Sequence, residues 1–109
     1  IPTYFLAHWV RERAAFTWEE AIAMLTARPA SEWGLADRGL LREGYAADVV
    51  VFDPAEIGPE LPSARSDLPA GGTRLVQEAR GIRATIVAGQ VLLDHGTFTP
   101  ARPGRLLRR

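Results

Sequence analysis

Two histidines, His8 and His95, are the side chains best suited to bind a metal or move a proton near neutral pH. His8 stands beside Trp9 and His95 between Asp94 and Gly96, and neither has a second histidine two or four positions away. A local metal-binding pair needs such spacing to put both imidazoles on one face of a strand or helix. Both are read as ordinary structural or exposed histidines, and no metal ligand is assigned. Asp48 and Asp53 flank Val49–Phe52, and acids at strand ends carry chemistry in many α/β enzymes. No second acid or histidine stands nearby at a spacing suited to acid–base work. Asp48 is therefore read as capping the turn after Gly44, and Asp53, before Pro54, as shaping an exit turn. Ser31, Ser63 and Ser66 lack a Gly-x-Ser-x-Gly elbow. Gly71-Gly72 reads as loop, with no lysine and no helix to make a phosphate cradle. No catalytic residue is assigned, and substrate-binding residues stay open.

The elements that would carry these residues change character along the chain. Phe5, Leu6, Trp9 and Val10 form i,i+4 pairs and predict a helix that Arg11-Glu12-Arg13 ends. Thr17-Trp18-Glu19-Glu20 has the form of a capping box, and Trp18, Ala21, Ile22 and Leu25 follow on one helical face. Pro29 ends that helix and opens a short third one, which Gly34 closes. Trp9, Trp18 and Trp33 fall at helical positions and read as core, or as a face packing on something outside the chain.

Gly39 and Gly44 bracket a turn region before Val49–Phe52, which predicts a strand buried on both faces. Residues 55–81 are rich in proline and glycine and predict a long loop, with a weak helical patch near Leu75-Val76. Ile82–Val87 and Gln90–Asp94 predict a hairpin across Ala88-Gly89, and Asp94-His95-Gly96 turns into Thr97-Phe98-Thr99. Three helices followed by three or four strands make an α+β chain.

Composition narrows the classes. A length of 109 residues, 47% of them hydrophobic, suffices for a core and argues against disorder. The absence of cysteine excludes a disulfide scaffold, a thiolate zinc site and a thiol nucleophile. All 13 basic residues are arginine, and asparagine is also absent, which a GC-rich coding sequence explains without any demand for guanidinium groups. Zero net charge argues against a nucleic-acid module. Arg102, Arg105, Arg108 and Arg109 form an unbalanced basic tail, read as a solvated terminus with anion binding as the alternative. No apolar run approaches the ~20 residues of a membrane span. Ile1-Pro2-Thr3-Tyr4 resembles neither a signal peptide nor a start at methionine, so the expectation is a piece of a longer chain.

The order of motifs resembles the C-terminal end of metal-dependent amidohydrolases, and most closely the N-acyl-D-amino-acid deacylases (D-aminoacylases). The likeness lies in the helix Tyr4-Phe5-Leu6-Ala7-His8-Trp9-Val10-Arg11, the helix from Thr17-Trp18-Glu19-Glu20, and Pro29-Ala30. It is most specific from Gly39 through Gly44 to Ala47-Asp48 and Phe52-Asp53. It continues through Gly81-Ile82, Val87-Ala88-Gly89, Asp94-His95-Gly96 and Pro103-Gly104-Arg105, leaving out only residues 55–80. Two turns depart from the family pattern: Ala88-Gly89 replaces Asn-Gly, and Thr99-Pro100-Ala101 replaces Thr-Gly-Ala.

The resemblance implies that residues 1–36 are the C-terminal helices of a (β/α)8 barrel. Residues 37–109 would be strands of a small composite β-sandwich subdomain, with the loop at about 55–80. It implies a bacterial, cytoplasmic hydrolase that uses zinc to cleave the amide of small N-acyl-D-amino acids, with neither nucleic acid nor membrane as partner. The alternatives are a relative acting on cyclic amides, like dihydroorotase or hydantoinase, and a free-standing interaction domain. The family's metal ligands lie on barrel strands, its catalytic aspartate just before Ile1, and no position here matches them. The fragment itself is expected to be inactive, to bind no zinc, and to self-associate through unpaired strands or exposed helix faces.

Overall fold

The computed structural model describes residues 1–107; Arg108 and Arg109 of the basic tail lie outside the described residues. One α-helical turn, α1 (Pro2–Tyr4), runs into a π-helical segment, Phe5–Glu12. There the Arg13 N–H donates to the His8 carbonyl at 3.0 Å, an i→i+5 link. The residue pattern predicts an ordinary helix; the wider turn instead brings Leu6, Ala7, Val10 and Arg11 nearer one line. The first three are buried, whereas Trp9 stays 45% exposed.

The second helix, α2 (Trp18–Leu25), begins as its capping box requires. Thr17 Oγ1 accepts the Glu20 N–H at 3.2 Å, and the Glu20 carboxylate accepts the Thr17 N–H at 3.0 Å. The third, α3 (Ala27–Glu32), carries Pro29 in its first turn, where no N–H is needed. It ends on Gly34, whose φ of +68° lets the Leu35 N–H turn back to the Ala30 carbonyl at 2.8 Å.

Among the described residues eight short strands follow: β1 (Val49–Phe52), β2 (Gly58–Pro59), β3 (Ser63–Arg65), β4 (Arg74–Val76), β5 (Ala79–Arg80), β6 (Ile82–Val87), β7 (Gln90–Asp94) and β8 (Thr97–Phe98). An antiparallel sheet has the order β1-β6-β7-β8. Its two tight turns, Ala88-Gly89 and His95-Gly96, hold positive φ at both residues, the type I′ geometry that matches the twist of a hairpin.

Two expectations are corrected. Val49–Phe52 is not buried on both faces: Val50 is 53% and Val51 45% exposed. The strand lies at the sheet edge, bonded among the described residues to β6 alone, and meets the core through Phe52. Nor is residues 55–81 a loop with a helical patch. From Gly58↔Arg80 to Arg65↔Arg74 it is an antiparallel ribbon, and Leu75-Val76 belong to β4. The Glu60 N–H donates to the Glu78 carbonyl at 2.8 Å between its two strand pairs. Pro69, without an N–H to give a ladder, sits in the tip turn Pro69–Gly71.

The core joins the helical and sheet halves. Leu6, Val10, Ala21 and Ile57 are buried together, with Phe5, Trp18, Ile22, Phe52 and Ile82 around them. Trp18 lies against Phe52 with ring centroids 6.0 Å apart. Trp33, by contrast, is 67% exposed. The accessible surface is 8201 Å², against about 6,000 Å² for a compact monomer of this mass. The radius of gyration is 15.8 Å, against about 13 Å for a compact domain. Among the described residues, no helix is long and apolar enough to cross a membrane.

Candidate functional site

The acids at the two ends of β1 are both engaged. Asp48 forms an ion pair with Arg38, and its other oxygen accepts the Ala88 N–H at 2.8 Å. The Gly89 N–H donates to the Ala47 carbonyl at 3.0 Å beside it. One carboxylate thus ties the Gly39–Gly44 region, the start of β1 and the β6–β7 turn. Arg38 Nε lies 3.4 Å from the Asp37 carboxylate but makes no hydrogen bond among the described residues, and its side chain is only 14% exposed.

At the other end, Asp53 accepts the Ala55 N–H at 2.9 Å and faces Arg83 at 3.2 Å, while Arg83 also reaches Glu56 at 2.8 Å. The bond from Ala55, followed by the guanidinium of Arg83, holds the Asp53 carboxyl below the usual carboxylate range. A carboxylate whose pKa is lowered on folding stabilises the fold above its unfolded pKa, and the contribution fades as pH falls through the folded value. Asp53→Asn should therefore flatten the loss of stability below about pH 4, read as urea midpoints across pH. An unchanged slope would show that the pairing contributes nothing. Asp53 shapes the exit turn, as the sequence reading favours, whereas Asp48 clamps Arg38 and the distant β6–β7 turn instead of capping the turn after Gly44.

The remaining candidates stay apart. His8 Nδ1 lies 3.1 Å from Glu12 and its ring stacks on Tyr4 at 5.2 Å. His95 Nδ1 lies 2.6 Å from Asp94 in an exposed turn. Ser31 lines a cleft of about 370 Å³ beside Arg38 and Tyr45. Ser63 lies in β3, and Ser66 meets Thr73 at 3.1 Å near the ribbon tip, where Gly71-Gly72 complete the turn. Arg102 donates to the carbonyls of Thr99 and Ala101 at 2.8 and 2.7 Å. Arg105 lines a cleft with Arg38. Among the described residues, no three histidines or acids meet in a way that could hold a metal ion. The donor set here does not fit a zinc centre.

The side chain that sequence reading missed is Arg11. From the π-helical segment its Nη1 donates to the carbonyls of Pro54, Ala55 and Ile57 at 3.3, 3.2 and 2.6 Å. It bolts the helical half to the turn after β1. Its acceptors are backbone oxygens more than forty positions away, so no motif could announce it. An apolar groove of about 470 Å³ opens between α2 and β1, lined by Ile22, Ala23, Leu40, Leu41, Val50 and Phe52 among others.

The model of the amidohydrolase family matches residues 3–93. N-acyl-D-aspartate deacylase from Alcaligenes xylosoxydans xylosoxydans is 37% identical over 105 residues, covering 96% of this chain and 19% of that protein. A crystal structure of D-aminoacylase superposes with a TM-score of 0.77 at 31% identity, over 99% of this chain and 21% of the other. N-acyl-D-glutamate deacylase from Bordetella bronchiseptica, solved with zinc and a phosphonate mimic of the tetrahedral intermediate, gives a TM-score of 0.74 at 34% identity, over 98% and 20%. Dihydroorotase from Lactobacillus johnsonii is 32% identical over 93 residues, 82% of this chain and 21% of that protein. The chain thus spans about a fifth of the length of its relatives.

Proposed function

The chain belongs to the amidohydrolase family, and on that premise we propose that it is the C-terminal segment of a zinc-dependent deacylase of N-acyl-D-amino acids. Residues 1–36 are the closing helices of its (β/α)8 barrel, and residues 37–109 the C-terminal part of a small β-sandwich subdomain. The observation that carries this reading is the likeness to D-aminoacylase over 99% of the chain. The surface supports it as well. An edge strand with half-exposed valines, and about a third more area than a compact monomer presents, suit a segment completed by other parts of its polypeptide. A free-standing interaction domain would close those edges itself.

The segment's role is structural. On this reading zinc and the activation of water belong to the rest of the enzyme. What these residues do is hold two layers together, through Arg11, the Asp48 clamp and the core around Ile57. The substrate is a small N-acyl-D-amino acid, and neither nucleic acid nor membrane is a partner. A cytoplasmic location goes with the same reading. Cyclic amides are the second possibility, resting on the dihydroorotase likeness, which covers less of the chain.

The test is hydrolysis by the full-length polypeptide of N-acetyl derivatives of D-amino acids, of their L-enantiomers, and of dihydroorotate. Turnover of the D-series alone is expected. Turnover of dihydroorotate without the D-series would overturn the substrate assignment. The isolated 109-residue chain is expected to be inactive and to associate with itself through the β1 edge.

A further inference from the structure

The ribbon formed by β2 to β5 projects from the body, and its two faces differ chemically. It leaves the core at Gly58 and returns at Arg80, with every residue from 60 to 71 exposed. Successive strand residues point to opposite faces. The register Ser63↔Val76 and Arg65↔Arg74 therefore places Ser63, Arg65, Arg74 and Val76 on one face, to which Glu78 and Asp67 are joined by their ion pairs with Arg65 and Arg74. The charges on that face are paired: Arg65 with Glu78, and Arg74 in a two-pronged bond to Asp67 with both contacts at 2.7 Å. The opposite face carries Ala64, Ser66, Thr73 and Leu75, without a single charge. Leu75 is 77% exposed there.

A charged face with its own ion pairs is at ease in water, whereas an uncharged face built around a bare leucine is not. A lone two-stranded ribbon is marginal unless its apolar side packs on something. We infer that the ribbon is a docking arm whose uncharged face lies against the catalytic part of its own polypeptide. The inference rests on the reading of this chain as the C-terminal segment of a deacylase. Two arguments choose the same polypeptide over a second copy. The relatives extend to about five times this length, so a large surface is tethered close by, at an effective concentration on the order of millimolar or above. The face is also small, one leucine, one alanine and two hydroxyls. A stable contact between separate molecules buries about 800 Å² on each partner, and it must offset lost translational freedom that a tethered contact keeps. The matching surface is uncharged, with an apolar slot for Leu75 and a hydrogen-bonding group for the Ser66–Thr73 hydroxyls.

Single cysteines read the two faces separately, because this chain has none of its own. Ser66→Cys marks the uncharged face and Ser63→Cys the charged face; both are near-isosteric and lie on exposed positions. Each is placed in the full-length polypeptide with any other cysteine replaced by serine, and maleimide labelling is timed in buffer and in urea. Ser63→Cys should react at close to its unfolded rate, and Ser66→Cys at least tenfold slower at every protein concentration. Equal rates would overturn the arm by showing it free in solvent. Protection of Ser66→Cys that vanishes on dilution would overturn the choice of partner, since a second copy would then be the cover. Hydrolysis of N-acyl-D-amino acids by the same variants separates the two readings. An active deacylase with equal labelling rates fails the arm alone, and an inactive protein with a protected Ser66→Cys fails the enzymatic reading alone.

Discussion

Replacing Gly81 by alanine is expected to lower stability by about 3 kcal/mol, the sum of a strained backbone and a collision that cannot relax. Gly81 holds φ at +79° between β5 and β6, where an L side chain crowds its own carbonyl. A Cβ there would also stand 2.5 Å from the Ile57 nitrogen and 2.8 Å from the Glu56 carbonyl carbon. Both are backbone atoms in the turn that Arg11 grips, so no rotamer change clears the space. The Gly81 carbonyl accepts the Asp53 N–H at 2.8 Å, which fixes the approach from the other side. Gly44→Ala is the matched control. Its φ is +83° and a Cβ would meet nothing within 4 Å, so it should cost only the backbone term, about 1 kcal/mol. Urea unfolding of the two variants separates strain from collision. Equal losses would show that the Gly81 contact yields freely.

That glycine illustrates which parts of the fold are legible in the sequence. Local devices read directly: the Thr17–Glu20 capping box, the Gly34 stop and the two-residue turn at Ala88-Gly89 each need only neighbours in the chain. Asp53 is legible as a turn residue for the same reason, whereas the partners of Asp48 stand ten and forty positions away. The ribbon was not, because its proline and glycine content imitates a loop, and its pairing depends on register between residues up to 22 positions apart. The apolar run Val49–Phe52 pointed to burial on both faces. Apolarity does not distinguish an edge strand from a central one, and among the described residues β1 pairs with β6 alone. Nor is any metal-ligand spacing legible in the sequence. The resemblance assigns the ligands to barrel strands, and the two histidines here each meet a single acid. Arg11 was invisible because carbonyl acceptors leave no mark on residue types.

Truncating Ile57 should be the most damaging change that leaves the backbone untouched. Ile57 is 2% exposed and follows the turn after β1, where it meets Leu6, Val10 and Ala21. Few other large side chains are so enclosed, so the helical and sheet halves share one small core rather than two. Ile57→Ala removes three carbons from that junction. It leaves a void that the π-helical segment cannot fill, since Arg11 fixes its distance from the turn through the Ile57 carbonyl at 2.6 Å. The expected loss is about 3–4 kcal/mol, transfer and cavity terms together, against about 1 kcal/mol for Ile57→Val. The measurement is urea unfolding of the full-length protein, with the m-value unchanged if only stability has moved. A loss below about 1 kcal/mol for Ile57→Ala would mean that the site collapses easily. The two halves would then be joined chiefly by the Arg11 hydrogen bonds. Because those bonds end on the backbone of the same turn, Arg11→Met combined with Ile57→Ala should cost less than the sum of the single losses. Strict additivity would show instead that the polar bolt and the apolar plug act independently.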